Sequence, residues 1–177
     1  MRALLATLVL LALAGCAAFP SYRDRSVDMT SMAVFDPARY AGVWYEVASF
    51  PVPFQEGCTD TRATYGALSP GVLSVRNFCI RDGAPTSIEG TAEIVGPGRL
   101  KVKLGGMPFA ADYWVLWVDE GYRTAVVGVP SGRAGWILNR DPQIPDDRYR
   151  AALSVLDFNG YDLSRLQRTA QRGANEQ

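Results

Sequence analysis

The 177 residues carry 18 Lys plus Arg against 18 Asp plus Glu, with the signs interspersed, so there is no basic footprint for nucleic acid. The chain has no histidine, which removes the commonest general base, the commonest metal ligand and every Ser-His or Cys-His nucleophile pairing. The length suits one domain with one core, and nothing in the composition asks for a metal or a cofactor.

Met1-Arg2 supplies a positive start, Ala3 to Leu13 an apolar run too short to span a bilayer, and Leu13-Ala14-Gly15-Cys16 small residues before a cysteine. This resembles a bacterial lipoprotein signal peptide with its lipobox. The resemblance implies removal of residues 1–15 and lipidation of Cys16, whose several acyl chains would anchor the protein stably. An ordinary secretory leader with an incidental cysteine is the alternative. Residues 16–34 are then a lipidated tether, because Ala18 to Met32 is polar and aperiodic.

Asp36-Pro37-Ala38-Arg39 predicts a short helix, with an acid at the N-cap and proline in the first turn. Gly42 lets the backbone turn sharply before Trp44, which enters a strand running to Phe50. Pro51 to Gly57 is a loop, since neither proline can donate to a ladder. Strands follow at Thr59–Tyr65, Val72–Ile80, Ile88–Val95, Leu100–Leu104, Asp112–Asp119, Thr124–Val129 and Gly135–Arg140, separated by turn clusters such as Ser69-Pro70-Gly71 and Gly96-Pro97-Gly98. Eight strands with short connections and no crossover helix predict an all-β, antiparallel, up-and-down closed barrel. Alternation does not fix which faces of Asp112–Asp119 point inward, because both carry apolar residues and a bulge would flip them. Pro145-Asp146-Asp147 opens a helix with Tyr149, Ala152, Leu153 and Leu156 on one stripe, packed outside the barrel and stopped at Asn159-Gly160. Asp162 to Arg168 adds a short terminal strand, and the domain, residues 35–171, gives way to a frayed tail over 172–177.

Cys58 and Cys79 remain as an even pair. A hairpin register that sets Tyr65 opposite Val72 also sets Cys58 opposite Cys79, predicting a disulfide that contributes roughly 3 kcal/mol by the chain-entropy argument. Two free buried thiols are the alternative.

Gly42-Val43-Trp44, Asp112-Tyr113 and Trp136-Ile137-Leu138-Asn139-Arg140-Asp141-Pro142 lie in an order that resembles the lipocalins, over nearly all of residues 36–170. The lipobox makes the bacterial outer-membrane lipoprotein group, related to apolipoprotein D, the nearest subgroup. The resemblance implies an eight-stranded lipocalin barrel with a C-terminal α-helix outside, in which Gly42, Trp44 and Arg140 close one end and Arg140 lies over the Trp44 ring. It further implies a lipid anchor on the periplasmic face of the outer membrane and an interior that takes a fatty acid or lysophospholipid for storage, transport or envelope maintenance. A homodimer is compatible with it. Candidate ligand contacts are Phe50, Pro53 and Phe54 of the lid, Met107, Pro108 and Phe109 of the loop before the sixth strand, and Tyr65, Tyr113 or Trp114 on the walls. Arg76, Arg81 and Lys103 are candidates for an anionic head group or plain surface charges. Competing readings are a barrel enzyme using a carboxylate pair from Glu46, Glu89, Glu93, Asp112 and Asp119, and a structural envelope lipoprotein with a filled barrel.

Overall fold

The computed structural model describes residues 21–172, so the leader, the lipidation expected at Cys16 and the tail from residue 173 lie outside the described residues. Helix α1 (Pro37–Tyr40) begins where Asp36 Oδ1 accepts from the Ala38 and Arg39 amides. Gly42 follows with φ +99°, and a Cβ there would lie 3.1 Å from the Arg140 guanidinium, so the position requires glycine on both counts.

Among the described residues nine strands follow: β1 (Gly42–Ser49), β2 (Cys58–Ser69), β3 (Val72–Arg81), β4 (Ala84–Gly96), β5 (Arg99–Leu104), β6 (Ala111–Val118), β7 (Thr124–Gly128), β8 (Gly135–Asn139) and β9 (Gln167–Arg168). The first eight pair antiparallel with their neighbours in sequence, and β1 also pairs with β8, closing an eight-stranded ring. Helix α2 (Asp146–Phe158) packs outside that ring, burying Ala152 and Leu156.

The ladders settle the facing that alternation leaves open. The rows Leu73, Ala92, Val102 and Val75, Gly90, Leu104 point inward, whereas Arg76 with Glu89 and Lys101 with Asp112 form ion pairs on the outer wall. Two irregularities then flip parity. One lies between Glu46 and Ala48, so that Val47, Ala48 and Phe50 all join the cluster outside the wall. The other lies between Val115 and Trp117, sending Leu116 and Trp117 outward while Tyr113, Val115 and Val118 stay with the interior.

The outer cluster contains Phe50, Val126, Ile137, α2 and Tyr161. The Tyr161 hydroxyl donates to Ala134 O and accepts from the Val129 amide. A methyl group at Gly128 would sit 2.6 Å from that hydroxyl.

Three expectations are corrected. Residues 21–32 are no free tether: Tyr22 and Arg23 are buried, the Tyr22 amide donates to Gly132 O, the Met32 amide donates to Val115 O, and Arg23 donates to Asn159 O and Val27 O. The polar composition that suggested a tether serves these hydrogen bonds, while Tyr22, Met29 and Met32 supply the apolar contacts. Arg172, the first residue of the tail expected to fray, is held as well. The β1–β2 ladder stops at Tyr45/Arg62, and the gap beyond is bridged by Asp60 N to Ala170 O, by Gln171 Nε2 to both Glu46 O and Thr61 O, and by Arg172 N to Asp60 Oδ1. Finally, Tyr65 faces Val75 rather than Val72, because β2 runs on to Ser69, which pairs with Val72 across a two-residue turn, and Cys58 faces Arg81 after two one-residue irregularities in the ladder. Cys58 and Cys79 are nonetheless bonded, with Cα atoms 5.5 Å apart, diagonally rather than directly across the pair.

Candidate ligand-binding interior

The floor is built from the chain's first strand and last long one. Trp44 is fully buried, donates its indole N–H to Tyr40 O at 2.7 Å, and carries the Arg140 guanidinium 3.8 Å above its ring centroid. Arg140 also donates to the carbonyls of Val43, Arg39, Ala41, Tyr40 and Tyr122, stitching α1, β1 and the β6–β7 turn together. That turn is capped by Asp119, which accepts from the Arg123 and Thr124 amides and from the Arg123 guanidinium. Burial alone would raise the Asp119 pKa, but those N–H donors together outweigh it and hold the carboxyl below its usual range.

Above the floor, three tyrosine hydroxyls meet. Tyr65 donates to Tyr113 at 2.8 Å, and Tyr113 and Tyr40 share a further contact of 2.8 Å. Three hydroxyls bring three protons, and the two contacts use two. One O–H, on Tyr40 or Tyr113, is therefore left for another acceptor. Burial pushes the Tyr65 phenol up to about 12 and those of Tyr40 and Tyr113 well above their ordinary value.

Inward-facing side chains change character along the barrel axis. Near the floor Tyr65, Leu73, Val75, Ala92, Leu100, Val115 and Val127 are buried and fill the space. Towards the other end Ile88, Val102, Leu104, Tyr113 and Trp136 are only half-buried, so the mouthward part of the interior is apolar, aromatic and accessible. The β1–β2 lid is tied to this wall. Gln55 accepts from Trp136 Nε1 and donates to Glu46, whose other oxygen accepts from Thr169 Oγ1. Arg81 donates to Phe54 O at 2.5 Å on the lid's far side, beside the Cys58–Cys79 bond.

Among the candidate contacts, Tyr65 and Tyr113 face the interior. Phe54, Met107 and Phe109 are exposed on mouth loops, and Pro53 opens the lid's short 3-10 turn. Phe50 and Trp114 are corrected: Phe50 stacks on Tyr22 and Tyr161 outside the wall, and Trp114 lies outside beneath the Arg99 guanidinium. Trp136 and Tyr40 are interior residues that sequence reasoning missed as contacts; Trp136 stands two residues from the inward Leu138 on β8, and that spacing was the available signal. Arg76 and Lys103 lie on the outer face, and Arg81 serves the lid. The five carboxylates are dispersed: Glu89 and Asp112 in outer ion pairs, Glu93 opposite Lys101, Asp119 at the floor and Glu46 locked by Gln55 and Thr169. Among the described residues no group of three His, Cys, Asp or Glu is placed to hold a metal ion.

Comparison with known proteins agrees with this architecture. The family model described as the lipocalin-like domain matches residues 35–171. Temperature-induced lipocalin-1 of Arabidopsis thaliana is 40% identical over 144 residues, covering 75% of this chain and 77% of that protein. Outer membrane lipoprotein Blc of Escherichia coli K12 is 37% identical over 145 residues, covering 79% and 81%, and apolipoprotein D of Macaca fascicularis is 31% identical over 153 residues, covering 80% of each. Among solved structures, insecticyanin from the tobacco hornworm superposes with a TM-score of 0.68 at 23% identity, covering 85% of this chain and 87% of that one. The described barrel, with its indole-and-guanidinium floor, and these matches agree that the chain belongs to the lipocalin family.

Proposed function

We propose that the protein binds one hydrophobic ligand, a fatty acid or lysophospholipid, in the mouthward half of its barrel, while lipid on Cys16 holds it to the periplasmic face of the outer membrane. The accessible apolar ring of Val102, Leu104, Tyr113 and Trp136 carries this reading. An acyl chain laid against it would leave water at about 25 cal/mol per Å². The spare hydroxyl proton of the tyrosine trio offers an acceptor group on the ligand a hydrogen bond at the bottom of that space. The similarity to outer membrane lipoprotein Blc supports the membrane assignment. The reading is of binding without chemistry, for storage, transport or envelope maintenance, and the dispersal of the carboxylates favours it over catalysis.

Delipidated protein titrated with lysophospholipid tests it. Tryptophan emission should shift and the melting temperature should rise at saturation, and Trp136→Phe should abolish most of the emission change. A melting temperature unmoved by saturating lipid would overturn the reading in favour of a filled, purely structural barrel.

A further inference from the structure

We infer that the barrel mouth is a docking face for a lipid surface, with Phe54, Met107 and Phe109 entering the interfacial layer. The inference deepens the proposed membrane attachment and rests on that reading for the presence of a nearby bilayer.

The mouth is the end carrying the β1–β2, β3–β4, β5–β6 and β7–β8 connections, opposite Trp44 and Arg140. Its loops expose Phe109 at 83%, Phe54 at 46% and Met107 at 43%, so two aromatics and a methionine stand in water at one rim. The opposite end also exposes apolar side chains, Val34, Val43, Leu68 and Val95, and these are the competing face. What decides between them is the path of the chain. The Tyr22 amide donates to Gly132 O and the Tyr22 hydroxyl to Pro51 O, both on mouth loops, and Arg23 donates to Pro130 O. From there the strap runs down the outer wall until Ser31 reaches Pro97 O at the floor. The described chain therefore begins at the mouth, and the five peptide steps from Cys16 to Ser21 can reach at most about 18 Å. A lipid on Cys16 holds the mouth, not the floor, against the bilayer. The strap is fastened from Tyr22 to Met32, so its described part adds no slack between the lipid and the barrel. The opening through which a hydrophobic ligand would pass then faces the phase that supplies it.

The test uses mature protein purified from its own membranes and reconstituted into phosphatidylethanolamine/phosphatidylglycerol vesicles with brominated acyl chains. Phe109→Trp and Leu68→Trp place reporters at the two ends, each read as a difference from the parent protein. The Phe109→Trp increment should be quenched roughly twofold or more, and the Leu68→Trp increment should be unaffected. Equal quenching, stronger quenching at residue 68, or none at residue 109 overturns the docking face. Loss of dimer on Phe109→Asp, measured by light scattering and with no quenching at residue 109, would overturn it in favour of a second copy as the occupant. The mass of the N-terminal peptide reports separately on acylation. Preferential quenching at residue 109 with an unmodified Cys16 would sustain the mouth and discard the anchor.

Discussion

Arg140 shows how one side chain can organise an end of a barrel. Its planar fork reaches carbonyls on α1, β1 and the β6–β7 turn while its face rests on an indole, and an ammonium can do only part of this. Arg140→Lys should therefore cost about 2 kcal/mol, seen as a lower urea midpoint at unchanged slope. The tyrosine trio gives a second prediction. Its phenols are pushed above their ordinary value in the folded state, so their contribution is intact below about pH 10 and is lost as pH rises through the folded values. Ultraviolet titration should show phenolate from these residues appearing only with alkaline unfolding. Gly42, Trp44 and Arg140 were legible through the lipocalin resemblance of the blocks that carry them, and the positive φ at Gly42 and the guanidinium over the indole match what it implied. Phe50 and Trp114 were not. The facing of β1 and β6 depends on one-residue irregularities that leave no mark in composition, and Trp114 stands beside the shift that follows Val115.

At the scale of elements, strand order and the outer helix followed from turn chemistry and apolar stripe, whereas the strap and the seam did not. Both are short polar segments whose hydrogen bonds go to residues far away in sequence, and local pattern holds no trace of such partners. Gln171 is the clearest instance, since one amide group donates to carbonyls of both β1 and β2 where their own ladder has ended. Gln171→Ala should cost about 1 to 2 kcal/mol and speed amide exchange at residues 46–61. The Asp119 turn can be tested through acid. Its carboxyl is held below the ordinary range in the folded protein, so its stabilisation is complete above about pH 4 and fades as pH falls through the folded value. Asp119→Asn should lower stability at neutral pH and flatten the decline below about pH 4.

For the whole molecule, the Cys58–Cys79 bond joins the base of the lid to β3, and Gln55 fastens the lid to Trp136 on the opposite wall. Reducing that bond should lower the melting temperature and raise the on-rate for lysophospholipid, measured by stopped-flow emission. Alkylation of the unreduced protein should find neither thiol.

The double pairing of the first strand bears on how the chain reaches its native state. Residue 45 lies beside residue 62 and also beside residue 139, so the ring cannot be completed until segments remote in sequence have met. The entropy of that encounter precedes its reward. Folding should therefore fall in the milliseconds-to-seconds range of non-local topologies, and every ladder should be lost together in a single kinetic phase.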